Sequence, residues 1–182
     1  MSPLRADAER NLRRVLDAAA EVFAEHGPDA SVDLIAARAG VGHATVFRRF
    51  PTKDELIAAV ARQRFARLMQ IAEEALAEPD AGEGLTIFFW RAADLHARGQ
   101  GIYECLERCE ELPEAKELRR LATELVGRAQ AAGAVRTDVS AEDALALIGA
   151  AIDAGPKRWR QHLRIVFDGL RPAEGRGLGS GA

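Results

Sequence analysis

A chain of 182 residues, 48% hydrophobic and 29% charged, can close a sizeable core beneath a solvated surface. Its formal net charge of −3 excludes a protein that coats nucleic acid with uniform positive charge, so any DNA contact must come from local placement. Two cysteines exclude a disulfide framework, no run approaches the ~18 uninterrupted apolar residues of a membrane span, and the amino terminus lacks a signal-peptide core, so the expected compartment is the cytoplasm.

Strand signals are nearly absent, and helical spacing fills almost the whole chain, which predicts an all-α fold of about nine helices. The first spans about Asp7 to His26, with Leu12, Val15, Ala19, Val22, Phe23 and His26 on one buried stripe and Gly27-Pro28 as its stop. Ser31 is placed to cap a second helix, with Val32, Ile35, Ala36 and Ala39 inward and Ala39-Gly40 ending it. Val41-Gly42 turns into a third helix, about His43 to Arg49. A helix of two turns does not persist alone in water, so Val46 and Phe50 must anchor it, leaving His43, Ala44, Thr45, Phe47, Arg48 and Arg49 outward. Thr52 and Glu55 have capping-box spacing, and the fourth helix, Lys53 to about Ala77, is nearly 40 Å long at ~1.5 Å per residue.

The stretch from Glu78 to Gly84 reads as a loop before a fifth helix, Leu85 to about Arg98. After Gly99-Gln100-Gly101 a short sixth helix runs from Ile102 to about Glu110, and Pro113 opens a seventh that lasts to Ala132. Residues 133–139 connect to an eighth, about Ala141 to Ala154, capped by Ser140. Pro156 opens a ninth that ends near Leu170, and the glycine-rich 171–182 is expected to be a disordered tail.

From Ser31 to Leu56 the chain reads SVDLIAARAGVGHATVFRRFPTKDEL. Ile35-Ala36, Ala39-Gly40-Val41, Thr45-Val46-Phe47, Phe50-Pro51 and Lys53-Asp54-Glu55-Leu56 carry a resemblance. Together with the Ala-Ala-Ala-Glu-Val-Phe-Ala-Glu-His-Gly stretch of the first helix, they resemble the DNA-binding head of the tetracycline-repressor (TetR) family over about 50 residues. The remainder resembles that family in helix count and in the Gly-Ala-Val-Arg-Thr-Asp connector before the last two helices. The resemblance implies a helix-turn-helix domain at 1–52 and an effector-binding and dimerisation domain at 53–170. It implies a homodimer on a palindromic double-stranded operator, a repressor released by a small-molecule effector, with no catalysis, cofactor or metal. A helical small-molecule-binding or interaction protein that has lost DNA binding is the alternative. Phe47, where the family usually has tyrosine, and Gly42, where serine is frequent, keep it open.

A helix-turn-helix lays its second helix in the major groove with its N-terminal residues at base edges, so His43 and Ala44 are the base-contact candidates. Thr45 can donate to a phosphate, the Phe47 ring can meet a thymine methyl or a sugar, and Arg48 and Arg49 can reach bases or phosphates. Lys53, at the start of a helix, suits a phosphate, and Ser31 completes the DNA-facing set. For the effector pocket that the resemblance implies, the candidates are Phe65, Phe88, Phe89, His96 and Tyr103, with plain core as the competing reading. Cys105 and Cys109 read as two small buried hydrophobes, a soft-metal or oxidant site with His96 being the alternative. The dimer face is expected on the last two helices, through Ile148, Gly149, Ile152, Trp159, Leu163 and Val166.

Overall fold

The computed structural model describes residues 3–97, 102–153 and 158–172. Among them the regular structure is all helical: α1 (Pro3–His26), α2 (Val32–Ala39), α3 (His43–Arg49), α4 (Lys53–Leu76), α5 (Ala81–Ala97), α6 (Ile102–Glu107), α7 (Pro113–Ala131), α8 (Ala141–Asp153) and α9 (Trp159–Leu170). The all-α class is as the periodicity predicts. α1 starts earlier than expected, at Pro3, where a missing N–H is no loss in a first helical turn. His26 ends it exposed rather than on the buried stripe, because its side chain sits past Phe23, the last core residue of the helix. The expected opening of the ninth helix at Pro156, and the tail from 173 onward, lie outside the described residues.

The loop expected up to Gly84 is shorter. α5 begins at Ala81 because Asp80 caps it, its carboxylate accepting the Glu83 N–H at 2.9 Å and its carbonyl the Gly84 N–H at 2.8 Å. A Cβ on Gly84 would strike the carbonyl oxygen of Ala75, near the end of α4. The glycine therefore marks a close approach of two helices, where the sequence alone suggests a loop.

The chain divides into two compact units, 1–67 with 98–116 and 68–97 with 117–182. In the first, α1 packs on α2, burying Val15, Ala19, Val22 and Phe23 with Ile35, Ala36 and Ala39. Val46 and Phe50 anchor α3, and Leu56, Ile57 and Val60 add the start of α4. α6 also packs on α1, burying Cys105 and Leu106.

The second unit closes on one cluster. It holds Ile71 and Ala72 of α4, Leu85, Phe88 and Phe89 of α5, Leu121 and Leu125 of α7, Ala144 of α8, and Trp159 and Leu163 of α9. Gln130 secures the connector before α8, its Nε2 donating to the carbonyls of Arg136 at 2.9 Å and Val139 at 2.6 Å. A reciprocal capping box then starts α8: the Asp143 N–H donates to Ser140 Oγ at 3.0 Å, and the Ser140 N–H to Asp143 Oδ2 at 2.9 Å.

Candidate nucleic-acid interface

The turn between α2 and α3 is built by Gly40, whose φ of +66° places it in the left-handed region that side chains rarely adopt. The next N–H, of Val41, then closes α2 on the Ala36 carbonyl at 3.0 Å. Gly42 stands at the N-cap of α3 with extended backbone and no side-chain cap, while the Thr45 N–H reaches its carbonyl at 2.9 Å. With Val46 and Phe50 buried, the opposite face of α3 is directed outward.

His43, Ala44, Phe47, Arg48 and Arg49 are all exposed, and Thr45 is half-buried. His43 Nδ1 contacts the Asp33 carboxylate of α2, and its ring lies 4.5 Å from that of Phe47 with planes at 32°. Nothing in the sequence singles out Asp33, because its position in the first turn of α2 is explained equally well by the helix dipole. Ser31 is exposed and serves as the N-cap of α2, its hydroxyl accepting the Leu34 N–H at 3.3 Å. Lys53 opens α4 half-buried, beside Thr52, whose hydroxyl accepts the Glu55 N–H at 3.2 Å.

The electrostatics of this unit separate its cations. Arg38 is committed to α1, 2.9 Å from Glu25 and 3.2 Å from Glu21. Its hydrogen bond holds the Glu25 carboxyl below the usual carboxylate range. Arg48, Arg49 and Lys53 form no ion pair among the described residues, so their charge remains directed outward.

The effector candidates fall in different units of the chain. Phe65 is buried in the first unit, whereas Phe88 and Phe89, each 2% exposed, are packed into the core of the second. The side chains of His96 and Tyr103 lie outside the described residues. The second unit instead has a cavity of about 410 Å³ bordered by Thr86, Trp90, Val135, Arg164 and Phe167. Trp90 and Phe167 lie nearly parallel, planes 9° apart and centroids 6.3 Å apart. Trp90 belongs to the aromatic run of α5 that the sequence displays, but Phe167 does not stand out, because the pairing joins α5 to α9.

Of the residues expected at the dimer face, two are buried within the single chain. Trp159 and Leu163 are 3% and 0% exposed, enclosed by their own chain: Trp90 lies 5.9 Å from Trp159, and the Arg160 guanidinium covers that ring at 4.3 Å. Gly149 and Val166 are half-buried, and the side chains of Ile148 and Ile152 lie outside the described residues. Among the described residues, the exposed large apolar side chains of α8 and α9 are Leu147 and Ile165. Cys105 and Cys109 are buried free thiols; burial pushes Cys105 up to about 11 and raises Cys109 as well.

An all-α chain with an N-terminal helix-turn-helix followed by a helical body defines a class, the helix-turn-helix transcription regulators. Its first part matches the family described as bacterial regulatory proteins, tetR family, over residues 15–60. Residues 80–172 match the transcriptional regulator SbtR-like, C-terminal domain. The TetR transcription regulatory protein of Mycobacterium vanbaalenii is 38% identical, covering 93% of this chain and 100% of its own, with a TM-score of 0.65. The TetR transcriptional regulator SCO0520 of Streptomyces coelicolor is 31% identical, covering 88% and 98%, with a TM-score of 0.65. The HTH-type transcriptional repressor Rv3405c of Mycobacterium tuberculosis is 55% identical over 47 residues, 25% of each chain. The match thus spans a quarter of the length of such curated relatives. The chain belongs to the TetR family of transcriptional regulators.

Proposed function

We propose that the protein is a cytoplasmic, homodimeric repressor that binds a palindromic operator through α3 and lets it go when a small molecule occupies the second unit. The observation that carries this reading is the outward face of α3, where Arg48 and Arg49, with no ion pair among the described residues, accompany His43 and Phe47 on a chain whose net charge is −3. Phosphate neutralisation supplies affinity and base-edge contacts supply sequence preference. Arg48, Arg49 and Lys53 are suited to the first role, and His43 and Ala44 to the second, with Thr45 and Ser31 offering hydroxyls at the edge of the same face. In this reading residues 1–52 form the DNA-binding domain and 53–170 the effector and dimer domain.

The cavity bordered by Trp90, Phe167, Thr86 and Arg164 supports an effector site of apolar walls with few polar groups. Phe89 packs behind the lining residue Phe167, ring centroids 5.3 Å apart, and Phe88 belongs to the core. Release follows from linkage: an effector that favours the state unable to bind DNA weakens operator affinity by its differential affinity, typically about 5–150-fold. Leu147 and Ile165 support a dimer face on the outer side of α8 and α9. The test is selection of bound duplexes from a random pool. A palindromic consensus supports the reading, and recovery of no duplex favours the interaction protein that lacks DNA binding.

A further inference from the structure

Asp33 and His43 come from different helices, yet the Asp33 carboxylate meets Nδ1 of the imidazole, and the other side of that ring rests on Phe47. We propose that Asp33 is a positioning residue that decides which base edge His43 reads, a proposal that rests on the DNA-binding reading above. A carboxylate on a DNA-facing surface repels phosphate, so an acid there needs a partner, and its partner here is the imidazole. A carboxylate accepts, so the nitrogen it meets is the one that carries the hydrogen. In the neutral ring Nδ1–H donates to Asp33 Oδ1, which leaves Nε2 with its lone pair at the free edge. An acceptor at that edge complements the exocyclic amino groups exposed in the major groove, N6 of adenine and N4 of cytosine, and mismatches the O6 and N7 acceptors of guanine. Phe47 restricts the tilt of the ring, 4.5 Å between centroids, and so holds Nε2 in one direction. This gives the phenylalanine a task that needs no hydroxyl. Side-chain exposures of 78% for Asp33 and 52% for His43 leave the pair accessible to a duplex and leave the fold independent of the carboxylate.

The experiment is duplex selection from a random pool at one salt concentration with wild type, His43→Ala, Asp33→Ala and Asp33→Asn, each variant confirmed folded by thermal melting. His43→Ala is expected to relax one base position in each half-site, selected as adenine or cytosine by wild type. Asp33→Ala should relax that same position, lowering its discrimination by about fivefold or more, and leave the other positions unchanged. Asp33→Asn, whose amide oxygen still accepts the Nδ1–H, should retain the preference. The proposal is overturned if Asp33→Ala keeps the wild-type preference there, if it relaxes every position alike, or if Asp33→Asn relaxes it as far as Asp33→Ala. It is overturned equally if His43→Ala relaxes no position. Recovery of no duplex by wild type would instead strike down the DNA-binding reading, and this proposal with it.

Discussion

The guanidinium of Arg128, on α7, closes the end of α4, with Nη1 donating to the Leu76 carbonyl and Nη2 to the Glu78 carbonyl at 3.3 Å. The last carbonyls of a helix have no partner within it, and the final turn of α4 has no basic residue of its own. Arg128→Ala should therefore cost about 1.5–3 kcal/mol in urea unfolding, the range for hydrogen bonds to charged groups. Arg128→Lys should recover part of that, because a single ammonium does not reproduce a planar fork. An Arg128→Ala protein as stable as wild type would show that water satisfies these carbonyls equally well.

Binding to the selected operator should weaken steeply as salt rises, since neutralised phosphates release counterions. Lys53→Ala should weaken selected and random duplexes alike and reduce the slope of log K against log salt by about 1 for each phosphate no longer neutralised. A slope identical to wild type would remove Lys53 from the phosphate-binding set.

The two apolar positions on α9 should behave differently. Ile165 is 62% exposed, and Ile165→Asp is expected to give a folded chain that sediments as a monomer and binds the operator weakly. Leu163 is 0% exposed, and Leu163→Asp buries an unpaired charge at a cost of several kcal/mol, enough to unfold the second unit. An Ile165→Asp dimer with normal operator affinity would place the interface elsewhere.

The thiols should be unreactive while the fold holds. Burial is the main cause that pushes Cys105 up to about 11 and raises Cys109, so at neutral pH both stay protonated and enclosed. Alkylation with iodoacetamide should be slow in the native protein and complete in denaturant. Rapid modification of native Cys105 would reveal an opening of the α1–α6 packing.

The Glu25–Arg38 bridge sets a pH dependence. The hydrogen bond from Arg38 depresses the folded-state pKa of Glu25, so its contribution is present above the unfolded pKa and is lost as pH falls through the lower, folded one. Melting temperatures taken from about pH 6 down to about pH 3 should fall less steeply in Arg38→Ala than in wild type. Parallel curves for the two proteins would show the bridge to be thermodynamically idle, as exposed pairs often are.

Local physics made much of this protein legible from its residues. Ala39-Gly40-Val41 writes the turn, because only glycine takes the left-handed position without strain. Thr52 and Ser140 write helix starts through their own hydroxyls. Val46 and Phe50 define the inner side of α3, and so its outer side, because a helix that short has no stability apart from its anchors. Long-range packing settled the rest. The chain could not show that Gly84 faces the Ala75 carbonyl, that Trp90 pairs with Phe167, or that Trp159 and Leu163 are spent on their own core. An apolar stripe looks the same whether its own chain or a second copy covers it. Nor could the residues alone join Asp33 to His43, ten positions on, since that contact exists only after the Gly40 turn has swung α3 back against α2. Spacing along one helix is fixed by the chain, while meetings between helices depend on shape complementarity that no single segment encodes.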